Sequence, residues 1–274
     1  MKLFSLGRGL AHKTKQVFQD AWVRGWQEAR VPIIVYQMGK VGSTSLSKSL
    51  RRKGLHPVYD VHRIDPGHLQ EIKSIRAARG FDDVFPPVHQ RGLKVYKEIV
   101  ESNRHAKFIS LVRNPVDRNV SAFFYNFVDI EKQYDDRPTE SLVDSFLEEY
   151  HHDVPLTWFQ KEPEVTLNID VYSGRFPHHA GHVRFSNGPF DLLVLRTELP
   201  DEQKSKIVQE YLDVPDLAIQ RHNTGKKKSY AHRYKAFKEE VSLPISYLDR
   251  MLKSQYAQHF YSGKEIAETY DRWS

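Results

Sequence analysis

From Tyr36 to Ser45 the chain reads Tyr-Gln-Met-Gly-Lys-Val-Gly-Ser-Thr-Ser. A glycine turn that opens a helix leaves backbone N–H groups free and adds the positive end of the helix dipole. Together these bind phosphate-like anions. Lys40 brings a mobile charge to such a turn, Val41 and Gly42 bring amides, and Ser43, Thr44 and Ser45 bring hydroxyl donors. The same letters also describe a plain helix start capped by Ser43 beside an incidental lysine. A second stretch, Arg113-Asn-Pro-Val-Asp-Arg-Asn-Val-Ser121, sets a guanidinium and a hydroxyl about two helical turns apart. Guanidinium binds phosphate oxygens in pairs, and a serine hydroxyl adds a further donor. Taken singly, Arg113 reads as a surface ion pair and Ser121 as a helix filler. Taken in order, the two stretches suggest two anion pockets that grip one ligand.

The first loop departs from the nucleoside triphosphate loop G-x-x-x-x-G-K-[ST], in which the lysine follows the second glycine. Here Lys40 precedes Gly42, and no Walker-B acid pairs with the loop. The expectation is a phosphate site that needs no metal. The order Lys40-Val41-Gly42-Ser43-Thr44 resembles the 5′-phosphosulfate loop of PAPS-dependent sulfotransferases, K-x-G-[ST]-T. The Arg113–Ser121 stretch resembles that family's 3′-phosphate motif, and Asp117 and Arg118 also match it. Leu156-Thr-Trp-Phe159, Asn168-Ile-Asp-Val-Tyr172, Asp191-Leu-Leu-Val-Leu195 and Ala257-Gln-His-Phe-Tyr-Ser262 resemble bacterial sulfotransferase-like proteins of capsular polysaccharide synthesis. The resemblance covers most of the chain after Arg30. It implies that PAPS donates a sulfuryl group to a hydroxyl of a carbohydrate acceptor and leaves as PAP. It also implies that Lys40 meets the charge developing on the leaving phosphate, and that Arg113 and Ser121 hold the 3′-phosphate. Lys226 and Lys227, in a late basic stretch, match the loop that many sulfotransferases close over that phosphate.

For the base, His62 stands at the end of a short strand facing the same cleft, and histidine is poised for proton transfer near neutrality. Val58-Tyr-Asp-Val-His62 resembles the Y-H-x-H stretch of uronyl 2-O-sulfotransferases, with Asp60 in place of the first histidine. His89 competes with it, and Glu98 and Glu101 are weaker alternatives. The chain has 14 histidines, so a lone one is usually structural.

These residues must be held by strands that end beside one another. Ile33–Met38, Val58–His62, Lys107–Val112 and Phe190–Arg196 read as short buried strands. Helices are expected over Ser43–Lys53, Gly67–Arg79, Gly92–Ser102, Val116 to about Tyr134, Glu140–His151, Asp201–Leu212 and Leu243–Tyr256. Asn114 is placed to cap the helix that starts at Val116, with Pro115 in its first turn. Pro155–Pro189 reads as irregular. Strands alternating with helices predict an α/β fold, a P-loop-like three-layer α/β/α sandwich around a central parallel sheet. Residues 1–30 are expected to form a basic helical extension, and 31–274 a single domain.

The 274 residues carry a net charge of +6, which favours anionic ligands, including an anionic glycan. Nucleic acid is a poor fit, because the one dense run, Lys226–Lys228, has a single nearby aromatic, Tyr230. There is no cysteine, which excludes disulfides and thiolate metal sites and suits a cytoplasmic protein. No apolar run approaches the ~20 residues of a spanning helix. Leu3, Leu10, Val17 and Trp22 mix with cations in the first 30 residues, a pattern that suits contact with a membrane surface. The rival readings are a P-loop kinase or other nucleotide-binding transferase, and a non-catalytic protein that binds anions or nucleic acid.

Overall fold

The computed structural model describes residues 30–78, 87–126, 138–220 and 230–274. The expected N-terminal helix, and Lys226 and Lys227, lie outside the described residues. Five strands form one sheet: β1 (Ile33–Tyr36), β2 (Val58–Val61), β3 (Ala106–Val112), β4 (His182–Asn187) and β5 (Phe190–Arg196). Their order is β2-β1-β3-β5-β4. The first four positions in that order run parallel. β1, β3 and β5 are apolar on both faces and almost wholly buried, as a strand covered by helices above and below must be.

The expectation of a purely parallel sheet is corrected at its edge. β4 pairs antiparallel with β5, from His182 opposite Leu195 to Asn187 opposite Phe190. The two-residue Gly188-Pro189 turn closes this hairpin, and Gly188 has the positive φ (55°) that such a turn needs. The edge position explains why β4 reads as irregular in sequence: only Val183 and Phe185 face the core, and the rest is polar. The first part of the stretch before it is not irregular either, while residues 168–181 hold no helix or strand, as expected. Val154–Phe159 is helical and continues through a π-helical turn, Gln160–Glu164, to Leu167.

In chain order the helices are α1 (Ser43–Arg52), α2 (Pro66–Ala78), α3 (Pro87–Val95, prolonged by the π-turn Tyr96–Val100) and α4 (Pro115–Phe123). Then come α5 (Thr139–Glu148), α6 (Val154–Phe159), α7 (Asp201–Leu212) and α8 (Ala231–Glu240). The chain ends with α9 (Ile245–Leu252), α10 (Gln255–Phe260) and α11 (Gly263–Trp273). The single helix expected over Leu243–Tyr256 is two, parted where Ser254 caps α10 by accepting from the Ala257 amide. α11 escaped the sequence pattern, although it carries a capping box of Ser262 and Glu265. α4 starts as expected: Asn114 accepts from the amides of Val116 and Asp117, and Pro115 occupies the first turn. Beyond the sheet, Phe123, Phe124, Phe146, Tyr150 and Phe237 interlock edge to face and join α4, α5 and α8 into the same core. Among the described residues no helix is long and apolar enough to cross a membrane.

Candidate functional site

The loop between β1 and α1 has three departures from ordinary backbone: Gly39, Lys40 and Gly42 have φ of 83°, 63° and 86°. Two are glycines, for which this region carries no penalty. Lys40 is held there by its surroundings. Those surroundings are two arginines and a threonine, all acting on carbonyls. Arg118 donates from Nη2 to the Met38 carbonyl (3.0 Å) and from Nε to that of Gly39 (3.2 Å). Arg113 donates from Nη1 to the Lys40 carbonyl (2.9 Å), and Thr197 donates to that of Val41 (2.5 Å).

In a trans peptide the C=O of one residue and the N–H of the next point in opposite directions. Carbonyls 39, 40 and 41 are each held by a side chain, so the amides of Lys40, Val41 and Gly42 each point away from the group that holds the preceding carbonyl. Gly42 is also the cap residue of α1, where no side chain among the described residues caps the helix and the first turn has no acid. Amides turned away from held carbonyls at a helix start are the kind of group that suits an anion. Arg118 adds to this electrostatically. Only 5% of this side chain is exposed, and its hydrogen-bond partners among the described residues (two carbonyls, the Asn119 amide and the Tyr150 hydroxyl) are all neutral. A buried cation matched only by dipoles favours an anion nearby.

The two sequence motifs therefore meet. Arg113 and the Gly42 turn lie on the same side of the sheet, joined through Lys40. Ser121 is half-buried on α4, one turn beyond Arg118. Of the expected hydroxyl donors, Ser43 is turned inward and accepts from Gln37 (2.9 Å), while Thr44 and Ser45 are half-buried. The Lys40 ammonium rests 4.2 Å from the centre of the Tyr125 ring, a cation–π contact that a stronger anion could displace.

His62 follows β2, the neighbour of β1, and stands beside the loop. A β-carbon on Gly39 would lie 3.6 Å from His62 Nε2. Its Nδ1 is paired with Gln37 Nε2 at 2.9 Å, and its carbonyl accepts from the Trp158 indole at 2.8 Å. Burial, with Arg63 and Arg118 adding to it, pushes the His62 pKa down to about 4. To take a proton from a substrate, His62 would first have to part from Gln37. His89 lies close enough to Arg63 and His62 to be affected by their charge and is buried on α3. Glu98 and Glu101 are exposed on the turn that leads into the start of β3, the opposite end of the sheet from the loop. The structure does not bring them to the site.

The segment that carries His62 is fixed by a residue with no sequence signal. Glu162, wholly buried, accepts from the Tyr36 hydroxyl, the amides of Ile64 (2.8 Å) and Asp65 (3.3 Å), and His68 Nδ1 (2.6 Å). Gly92 of α3 closes the other side: a β-carbon there would fall 2.0 Å from the Arg63 carbonyl. Sequence reasoning also missed Gln37, read only as strand, and Thr197. Arg118 was visible as a motif match, but its role was not.

A family model described as "Putative capsular polysaccharide synthesis protein" matches residues 135–262. The similarity to that family is confined to this stretch, just under half of the chain. The match begins after α4 and so contains neither the 39–44 loop nor the Arg113–Ser121 stretch. It does contain Glu162 and Thr197, which support the site from behind. No curated protein and no solved structure matches the chain.

One pH effect follows from the buried histidines. His62, His89 and His152 all have pKa values lowered to about 4 from 6.5, burial being the largest cause in each. Unfolded, each binds a proton below 6.5, while folded each resists until about 4. Stability is therefore greatest above pH 6.5 and falls as pH drops through this window. Melting temperatures recorded from pH 7.5 to 4.5 are expected to decline steadily. His152→Phe, which fills the same aromatic cluster, should flatten part of the slope. An unchanged profile would show that these rings titrate normally.

Proposed function

We propose that the protein is a PAPS-dependent sulfotransferase, built on a P-loop-like sandwich, that moves a sulfuryl group to a hydroxyl of a carbohydrate acceptor. The observation that carries the reading is the row of amides at Lys40, Val41 and Gly42, aimed away from carbonyls held by Arg118, Arg113 and Thr197. Such a row suits the oxygens of a phosphosulfate. The Lys-x-Gly-Ser-Thr order and the partner stretch from Arg113 to Ser121 favour PAPS over a nucleoside triphosphate. The family match to capsular polysaccharide synthesis favours a sugar acceptor.

In the proposed reaction the acceptor oxygen forms a bond to sulfur as the bond from sulfur to the 5′-phosphate oxygen breaks. The electron pair stays on the phosphate of PAP, where Lys40 meets it. By analogy with phosphoryl transfer the transition state is loose. The attacking oxygen then becomes acidic only late, and its proton passes to water. His62, expected from sequence to be the base, is given another part below. Arg113 and Ser121 are assigned to the 3′-phosphate. No metal has a part in this scheme.

The test is ligand-dependent melting with PAPS, PAP, ATP and GTP added separately, followed by transfer of labelled sulfate from PAPS to a panel of glycans. A ligand that binds the folded chain raises its melting temperature by mass action. Stabilisation by PAP and PAPS, with label transferred to a polysaccharide, is expected. Stabilisation by ATP and not by PAP would support a kinase instead. Arg113→Ala, which removes a guanidinium and frees the Lys40 carbonyl, should weaken PAP binding by roughly tenfold or more in calorimetry. Unchanged affinity would remove Arg113 from the nucleotide site.

A further inference from the structure

Gln37 is wholly buried at the tip of β1, and all of its polar atoms are engaged. The Gly39 amide donates to its Oε1. A backbone N–H can only donate, so this contact decides which end of the side chain is oxygen. Gln37 Nε2 must then lie on the far side, where it is 2.9 Å from Ser43 Oγ and 2.9 Å from His62 Nδ1. The Asp60 carboxylate is a further acceptor within reach of this amide, and an amide nitrogen has no lone pair with which to accept from any of the three. His62 Nδ1 consequently presents a lone pair, and in the neutral ring the single proton sits on Nε2.

That nitrogen lies beside the loop. Nε2 is the His62 ring atom nearest the place where a β-carbon on Gly39 would stand, at 3.6 Å. The charged groups acting on the ring are Arg63 and Arg118, both cations, and neither invites a second proton. The indole of Trp158 fixes the His62 backbone from the other side.

We propose that Gln37 is a positioning residue that locks His62 as its Nε2–H tautomer, so that His62 gives a hydrogen bond to an oxyanion seated at the Gly39–Thr44 loop. The inference rests on reading that loop as an anion site. It deepens the reading by making His62 a donor to the bound sulfate or phosphate group, not a proton acceptor from the sugar.

The lock is tested in the full-length protein with ¹⁵N-labelled histidine. Long-range ¹⁵N–¹H spectra distinguish a protonated from an unprotonated ring nitrogen. The native chain is expected to show His62 with its proton on Nε2, and this proton should shift when inorganic sulfate or PAP is added. A proton on Nδ1, or an Nε2–H that neither ligand moves, overturns the proposal. A response to sulfate but not to PAP upholds the lock and removes the nucleotide reading, so the two failures are distinguishable.

Gln37→Glu supplies the converse. A carboxylate still accepts from the Gly39 amide, and the Ser43 hydroxyl can turn to donate to it. It cannot donate to His62, so in the neutral ring the proton moves to Nδ1 and the Nε2–H is lost, which the same ¹⁵N spectra verify before affinity is read. PAP affinity should fall by about tenfold, as for a lost hydrogen bond to a charged group. His62→Gln places an amide N–H near the position of Nε2 but offers no basic nitrogen. It should recover most of the PAP affinity and turnover that His62→Ala loses. If His62→Gln is as inactive as His62→Ala while folding normally, His62 acts as a base and the proposal fails.

Discussion

Lys40→Ala is expected to lower the turnover of labelled-sulfate transfer by about 10²–10³-fold, the effect of losing one preorganised group that meets transition-state charge. PAP affinity should fall much less, because the amides of Val41 and Gly42 and the Arg113 guanidinium remain. The reason lies in where charge changes. The ground-state phosphosulfate spreads its charge over several oxygens, while bond breaking concentrates it on the bridging oxygen that becomes part of PAP. A mobile ammonium can follow that charge, and fixed amides cannot. In the unliganded arrangement Lys40 Nζ lies over Tyr125, a weak contact it can leave at small cost. The substitution should spare the fold: Lys40 is half-buried, and alanine at φ 63° is no more strained than lysine. Rates at saturating PAPS, PAP calorimetry and melting temperature together decide the matter. Turnover within threefold of the native value would show that Lys40 does not face the leaving group.

Glu162→Ala is the second large effect and acts on stability. The side chain is fully buried and serves the Tyr36 hydroxyl, two consecutive amides and an imidazole. Removing it strands these donors in a place without water. Breaking such a buried cluster from one side costs about 3–5 kcal/mol, a large part of the stability of an ordinary domain. Glu162→Gln keeps the shape but sets an N–H against groups that are themselves donors, so it should also destabilise, though less. Urea unfolding monitored by fluorescence measures both. The four tryptophans include Trp158, which packs at 4.9 Å against Tyr36 and reports on this region. A loss below 1 kcal/mol for Glu162→Ala would mean that water replaces the carboxylate. Activity should fail with stability, because the Ile64–Asp65 amides anchor the turn that presents His62.

The lesser predictions rest on the same arrangement. The loop is shaped from behind by arginines that a motif search assigns to the ligand. Arg113 can serve both ends of that assignment, since one nitrogen holds the Lys40 carbonyl and a guanidinium has others to offer. Arg118 is different, being buried and occupied by carbonyls, an amide and a hydroxyl.

The features legible in the chain alone were local. Phe190–Arg196 and Asp201–Leu212 were legible to the residue, because an apolar run bounded by Pro189 and a regular helical pattern after Pro200 need no distant partner. The Gly39–Thr44 turn into α1 was legible for the same reason: its glycines, lysine and hydroxyls are neighbours in the chain. β4 was lost because an edge strand is half polar, and α11 because its capping box was overlooked. Tertiary structure alone decided which groups meet. Glu162 lies 126 residues from Tyr36, and Thr197 lies 156 from Val41. Their contacts exist because the strand order β2-β1-β3-β5-β4 sets the ends of β1, β3 and β5 side by side. The direction of the His62 proton was likewise hidden. It depends on the Gly39 amide turning the Gln37 side chain, and a hydrogen-bond network of that kind is settled only when burial leaves each polar atom a single partner.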